Sequence, residues 1–202
     1  MPRTPDEKYR RAKKDMILDG AHTVFCRKGF LAVTMQDIID ECKISRGGIY
    51  LYFSSVEELF REVSSRRNKA KFSIIRKAVN DNEPFMTVLD EYIVLQKERL
   101  LHMENSLLRA MYEYIFSSAD GATQVFREAQ LSNIRKSVSS ILLLGVRQEV
   151  IRNDQIQRLT DHFVVTIEGL GVLALSEVIT EKIVDEQFAI LADMVESMKG
   201  DQ

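Results

Sequence analysis

Hydrophobic residues recur along most of the chain at intervals of three and four positions, the spacing that places side chains on one face of an α-helix. No segment alternates apolar and polar residues for long enough to predict a sheet. Nine glycines and three prolines are few for a protein rich in turns. The sequence therefore predicts an all-α protein with about nine helices and short connections.

Turn and cap residues set the predicted helix boundaries. The first helix is expected from Pro5 or Asp6 to Lys28, where Gly29 is suited to end it. The later helices are predicted over residues 35–42, 46–52, 55–80, 84–102, 104–117, 122–148, 154–177 and 185–199. Thr34, Ser45 and Ser55 each stand where a helix N-cap is needed.

The second and third helices are short and separated by a tight turn, which is typical of a helix-turn-helix. In that motif the second helix enters the major groove of DNA, where an arginine can reach a guanine edge or a phosphate. Tyrosine hydroxyls can bind phosphates, and two glycines allow a close approach at a cost of about 1 kcal/mol each in helix propensity. The residues expected to face DNA are Thr34, Gln36, Ser45, Arg46, Gly47, Gly48, Tyr50, Leu51 and Tyr52.

Residues 34–59, TMQDIIDECKISRGGIYLYFSSVEEL, resemble the DNA-binding signature of the TetR family of transcriptional regulators. That signature reads T-x-x-D-I-A-x-x-A-G-V-S-x-G-T-L-Y-x-Y-F-x-S-K-E-E-L. The chain departs from it at three positions: Lys43 replaces a turn glycine, Gly48 a threonine and Val56 a lysine. A left-handed backbone at Lys43 would cost about 1 kcal/mol. The other two changes remove groups that could bind phosphate.

Charge is divided unevenly along the chain. Residues 1–72 carry 15 Lys/Arg and 10 Asp/Glu (15 − 10 = +5), and residues 73–202 carry 13 and 20 (13 − 20 = −7). A basic N-terminal part is typical of a region that binds polyanions. We therefore expect a helix-turn-helix domain over residues 1–54 and a larger domain over residues 55–202, connected by the helix over residues 55–80.

The sequence also predicts where the protein works. The basic N-terminus lacks the apolar run of a secretory signal, and polar residues interrupt the most apolar stretch, residues 163–179. Cys26 and Cys42 lie on apolar helix faces and are expected to be reduced core residues. These features favour a cytoplasmic protein that does not enter a membrane.

The last two long helices are apolar on nearly every side, so they must be buried on several sides. The resemblance implies that they form a four-helix bundle with a second subunit, giving a twofold homodimer on a palindromic operator. It also implies a small apolar effector held in the larger domain. The candidate lining residues are Tyr92, Met103, Leu107, Met111, Tyr112, Phe126, Phe163 and Glu168. A packed core is the simpler interpretation of these residues, and Glu168 could pair with an arginine, face the partner subunit or bind a cationic ligand.

Catalysis and cofactor binding are not expected. His22, His102 and His162 lack the spacing of metal ligands, and no nucleophile elbow, phosphate loop or clustered acid pair is present. The sequence therefore favours a TetR-type repressor that binds double-stranded operator DNA and is released by a small apolar molecule. Two alternatives remain: a DNA-binding regulator without such an effector, and a helical protein that sequesters ligands.

Overall fold

The computed structural model describes residues 7–199, apart from the side chains of residues 71 and 72. Within that range the chain forms nine α-helices, and its extended pairing is limited to a bridge between Ile151 and Lys199. The all-α prediction is confirmed. The helices are α1 (Glu7–Lys28), α2 (Met35–Cys42), α3 (Arg46–Tyr50), α4 (Val56–Asn80), α5 (Phe85–Leu101), α6 (Leu107–Ser117), α7 (Gly121–Arg147), α8 (Ile156–Leu175) and α9 (Glu181–Glu196).

Most predicted boundaries agree with these helices to within a few residues, and two differ for identifiable reasons. The helix α3 ends at Tyr50 instead of near Tyr52, because the chain turns there to bury Phe53. The helix α9 begins at Glu181, because the Thr180 hydroxyl caps it by accepting the N–H of Ile183. The predicted start of the first helix at Pro5 or Asp6 lies outside the described residues.

The chain divides into two compact units. One comprises the chain up to Asn68 together with Asn105–Ser118, and the other comprises Lys69–Glu104 together with the chain from Ala119 onward. The N-terminal unit therefore contains α6 and the first part of α4 in addition to α1–α3. The predicted boundary after residue 54 divides the expected DNA-binding part from the rest of the chain, and it stays a prediction.

Four aromatic rings form the centre of the N-terminal unit. The rings of Phe25 and Phe60 meet edge to face at 4.9 Å between centroids, and those of Phe30 and Tyr114 meet at 4.8 Å. Such pairs contribute about 0.5–1.5 kcal/mol each beyond the area that they bury. The Tyr114 hydroxyl accepts a hydrogen bond from Arg61 at 2.8 Å. The ring from α6 is thus an integral part of this core.

A carboxylate on α6 holds the corner that follows α1. Glu113 accepts the backbone N–H groups of Phe30 and Leu31 at 2.6 and 3.0 Å, and its other oxygen accepts Arg109 Nε at 2.8 Å. Its side chain is only 11% exposed. Gly29 makes this approach possible, because a Cβ there would overlap the carboxylate and its φ of +77° is unfavourable for other residues.

The core of the C-terminal unit lies between α5, α7, α8 and α9. Phe163 and Phe188 are buried at its centre, and Phe85 packs directly on Gly145, where a Cβ would come within 2.9 Å of the ring. Four apolar residues of α8 are buried inside this unit: Phe163, Val164, Ile167 and Leu170. Of the described helices, none has both the length and the apolar content that crossing a membrane requires.

We predict that Glu113→Ala lowers the free energy of unfolding by about 1–3 kcal/mol, because it leaves two backbone N–H groups without their acceptor. Urea unfolding of the full chain measures this loss. The matched control is Glu98→Ala, since Glu98 is exposed and pairs only with the exposed His102 nearby; its effect should stay within about 0.5 kcal/mol. Equal effects for both variants would contradict the assigned role of Glu113.

Candidate nucleic-acid interface

A capping box fixes the start of α2. The Thr34 hydroxyl accepts the N–H of Asp37, and the Asp37 carboxylate accepts the N–H of Thr34 at 2.9 Å. Lys28 Nζ lies 2.6 Å from the same carboxylate. The hydrogen bond from Lys28, followed by that from the Thr34 backbone, lowers the pKa of Asp37 to about 2. The end of α1 is thereby tied to the first turn of α2.

The turn between α2 and α3 is left-handed at Lys43, with φ 49° and ψ 45°. Its backbone N–H donates to carbonyls of the last turn of α2, as a glycine would do at this position. The lysine therefore adopts a conformation that costs about 1 kcal/mol for a residue with a Cβ. The departure from the family signature leaves the turn geometry intact.

The helix α3 has one buried face and one open face. The Ser45 hydroxyl caps it by accepting the N–H of Gly48 at 3.1 Å, and Ile49 is fully buried beneath it. On the opposite side Arg46 is exposed, Tyr50 is 44% exposed, and Leu51, just past the end of the helix, is 78% exposed. This open face is a surface that a DNA groove could accept.

The two glycines of α3 have different surroundings. A Cβ on Gly47 would meet no atom within 4 Å, so this position leaves the open face free for a close approach. A Cβ on Gly48 would lie 2.9 Å from the Ile44 side chain. The missing side chain at Gly48 therefore serves the packing of the turn in this chain.

The remaining predicted DNA-facing residues are partly engaged within the protein. The hydroxyls of Thr34 and Ser45 serve as helix caps, and Gln36 donates to Asp40 at 2.8 Å. All three residues are nevertheless exposed, whereas Tyr52 is half-buried. The structure thus brings the nine candidates to α2, α3 and the turns beside them, with Arg46, Tyr50 and Leu51 the most open.

Arg46 differs from three other cations of the N-terminal unit. Lys14, Arg27 and Lys28 each form an ion pair with a carboxylate of the same unit. Among the residues that the structure describes, Arg46 has no carboxylate within 4.0 Å. Its positive charge is therefore available to an anion outside the protein.

A second capping arrangement, at the start of α4, was only partly anticipated. The Ser55 hydroxyl accepts the N–H of Glu58, and the Glu58 carboxylate accepts both the N–H and the hydroxyl of Ser54. The hydroxyl bond from Ser54 is the main cause that lowers the pKa of Glu58. The Ser-x-x-Glu spacing is the sequence signal that predicts such a box. Glu113 has no comparable local signal.

The candidate effector residues fall into both units. Leu107, Met111 and Tyr112 belong to the N-terminal unit; the other five belong to the C-terminal unit and are Tyr92, Met103, Phe126, Phe163 and Glu168. Burial raises the pKa of Tyr92 well above its usual range, Arg99 opposes the rise, and Glu168 adds to it. Arg99 and Glu168 therefore both lie within electrostatic range of Tyr92. Two pockets of the C-terminal unit are lined by other residues.

The sequence model described as "Bacterial regulatory proteins, tetR family" matches residues 17–63, the segment that contains α2, α3 and both capping boxes. Residues 17–63 therefore carry the DNA-binding domain of the TetR family. The chain's relatives include YfiR of Bacillus subtilis (strain 168), named an uncharacterized HTH-type transcriptional regulator, which is 31% identical over 112 residues. That match covers 55% of this chain and 54% of YfiR, so the chain spans about half the length of this relative.

Two further comparisons concern a short sequence match and the fold of the whole chain. IcaR of Staphylococcus epidermidis, named the biofilm operon icaADBC HTH-type negative transcriptional regulator, is 35% identical over 49 residues, 24% of this chain and 26% of IcaR. The crystal structure of a TetR-family regulator from Cytophaga hutchinsonii has a TM-score of 0.74, covering 98% of this chain and 100% of that one. At 15% identity it shows a shared fold. YfiR and IcaR are both named transcriptional regulators.

We predict that Asp37 contributes stability that disappears in acid. Its pKa in the folded protein, about 2, lies below the ordinary value of 3.8, so its contribution is complete above that value and is lost as the pH falls through about 2. Asp37→Asn should lower stability at neutral pH by about 1 kcal/mol, the usual contribution of a helix cap. The difference in unfolding free energy between the variant and the original protein should disappear between pH 4 and 2. Urea unfolding across this range measures the difference, with exposed Asp40→Asn as control; a difference independent of pH would contradict the assignment.

Proposed function

We propose that this TetR-family regulator binds a palindromic DNA operator through the open face of α3 and represses transcription. The observation that carries the proposal is the combination of a buried Ile49 with exposed Arg46 and Tyr50 on a capped helix after a tight turn. A helix held in this way presents its outer side chains to the major groove. Arg46 would contact a guanine edge or a phosphate, and Tyr50 a phosphate.

The distribution of charge along the chain and the sequence similarity to IcaR support the same proposal. The net charge of +5 over residues 1–72, against −7 over residues 73–202, favours the N-terminal part as the side that meets DNA. Negative regulation is stated in the printed name of IcaR, whose match to this chain spans 49 residues. That name supports repression as the sign of control. Such a protein would act in the cytoplasm, where bacterial DNA lies.

We predict that Arg46→Ala and Tyr50→Ala each weaken binding to DNA from upstream of the protein's own gene by about 1–3 kcal/mol, or roughly 5- to 150-fold. Substitution of a residue that contacts a phosphate should also reduce the slope of log affinity against log salt concentration by about one. Fluorescence anisotropy over a salt series measures both quantities. Lys182→Ala is the control, because Lys182 is an exposed cation on α9. A loss no larger than that of the control would contradict the assignment of α3.

A twofold homodimer formed through α8 and α9 would place two α3 helices on one operator. Apolar side chains are exposed on α8 at Val165, Val172 and Leu173, and on α9 at Ile190. Gly169, one turn after Val165, has open space around its Cβ position, so a second helix could approach closely there. Unpartnered apolar helix faces of this kind favour contact with a second copy.

We predict that Val165→Glu converts the dimer to a monomer, because it would bury a charge in the apolar interface. Light scattering at micromolar concentration measures the mass. Val125→Glu on α7 is the matched control, since Val125 is 67% exposed and Val165 is 70% exposed. A monomeric original protein, or a Val165→Glu variant that stays dimeric, would contradict the proposed interface.

A small apolar effector is the third part of the proposal, with Tyr92, Met103, Phe126, Phe163 and Glu168 as candidate contacts in the C-terminal unit. Release would require a ligand that binds more tightly to a conformation unable to fit the operator. Thermal stabilisation together with operator release by apolar compounds would support this part.

A regulator without a small effector is the second candidate. It is favoured by the deep burial of Tyr92 and Phe163, each less than a tenth exposed. Operator binding that no apolar compound alters would support it. A helical ligand-sequestering protein ranks last and would show ligand binding without any DNA binding.

A further inference from the structure

A pocket on the C-terminal unit has a chemistry that the proposed function does not use. It lies between the last turns of α4 and the middle of α7 and has a volume of about 290 Å³. Its polar walls consist of the cations Arg76 and Lys136, the amides Asn80 and Asn133, and the hydroxyls of Ser137 and Ser140. None of the residues that line it is acidic.

The absence of acid from this pocket contrasts with its surroundings. Residues 73–202 carry 20 Asp/Glu against 13 Lys/Arg, whereas the pocket is lined by two cations and no acid. Arg135, next to Lys136, is paired with Asp161. Among the residues that the structure describes, neither Arg76 nor Lys136 has a carboxylate within 4.0 Å. Two unneutralised cations therefore lie on one concave surface.

The end of α4 does not account for these two cations. The last carbonyl groups of a helix attract positive charge. That role is already filled by Arg147, whose guanidinium donates to the Val79 carbonyl at 2.8 Å. Arg76 and Lys136 are therefore available to a ligand.

We infer that this pocket binds a small organic anion, a monophosphate or a carboxylate that carries a short apolar body. Arg76 and Lys136 would bind the anionic head, and the Asn80 and Asn133 amides and the Ser137 hydroxyl would donate hydrogen bonds to its oxygens. The Ser140 hydroxyl already donates to the Lys136 carbonyl. Ile75 and Val79, both half-buried and one helical turn apart, supply an apolar wall for the body.

The size of the pocket limits the ligand. A volume of about 290 Å³ is at the lower end of the range for small-molecule sites, so the ligand is smaller than a typical drug or an intact lipid. Every lining residue lies in the C-terminal unit and outside the helix-turn-helix. The inference therefore stands independently of the proposed DNA binding, and it is tested without DNA.

Isothermal titration of the full chain at constant ionic strength tests the inference with three probes that share one ring: phenyl phosphate, benzoate and neutral benzyl alcohol. We expect saturable binding of at least one anion, at least about tenfold tighter than that of the alcohol. The preference between the two anions identifies the head group. The double variant Arg76→Gln/Lys136→Gln should bind this anion at least about tenfold more weakly.

The matched control is Lys77→Gln, which removes the same charge from an exposed neighbour on α4 outside the pocket; its affinity should stay within about twofold. The single variants Arg76→Gln and Lys136→Gln give the same readout if the double variant loses its helical circular dichroism. The inference is overturned if neither anion binds saturably at millimolar concentration. It is equally overturned if the pocket variants bind as tightly as the control.

Discussion

The N-terminal unit depends on the contact between α6 and the corner that follows α1. Glu113 accepts the N–H groups of Phe30 and Leu31, and Tyr114 beside it completes the aromatic core. The Glu113 contact requires that Gly29 lack a side chain. The path of the chain from α1 into α2, and hence the placement of α3, is therefore fixed by residues more than eighty positions later. The helix-turn-helix is stabilised from outside the segment that carries its sequence signature.

The local features of the fold could be predicted because they depend on residues close together in sequence. A hydroxyl at an N-cap bonds to an N–H within the first turn, so Thr34, Ser45 and Ser55 identified the starts of three helices. The buried face of α2 followed from helical periodicity. The left-handed backbone considered for Lys43, because the residue replaces a turn glycine, is present in the structure. The open face of α3 followed in the same way, because burial of Ile49 determines which side of the helix is exposed.

Contacts between distant residues could not be predicted from the same signals. Nothing in the spacing of Glu113 distinguishes it from a solvent-exposed helix carboxylate, because its partners are backbone groups of another segment. Helical periodicity also fails where a helix is apolar all round, as α8 is: it could not tell that Phe163 lies in the core while Val165 is exposed. Gly48 was read as an opening toward DNA, although its contact with Ile44 gives it a packing role.

Selection of bound fragments from a random double-stranded DNA library, using the purified full chain, tests the central claim most directly. If α3 reads the major groove as part of a twofold dimer, the enriched sequence will be a palindrome with half-sites about one helical turn, or a multiple of it, apart. Enrichment should weaken steeply with salt, because phosphate contacts release counterions. A library with no enriched sequence, or an enriched sequence without twofold symmetry, would contradict the account.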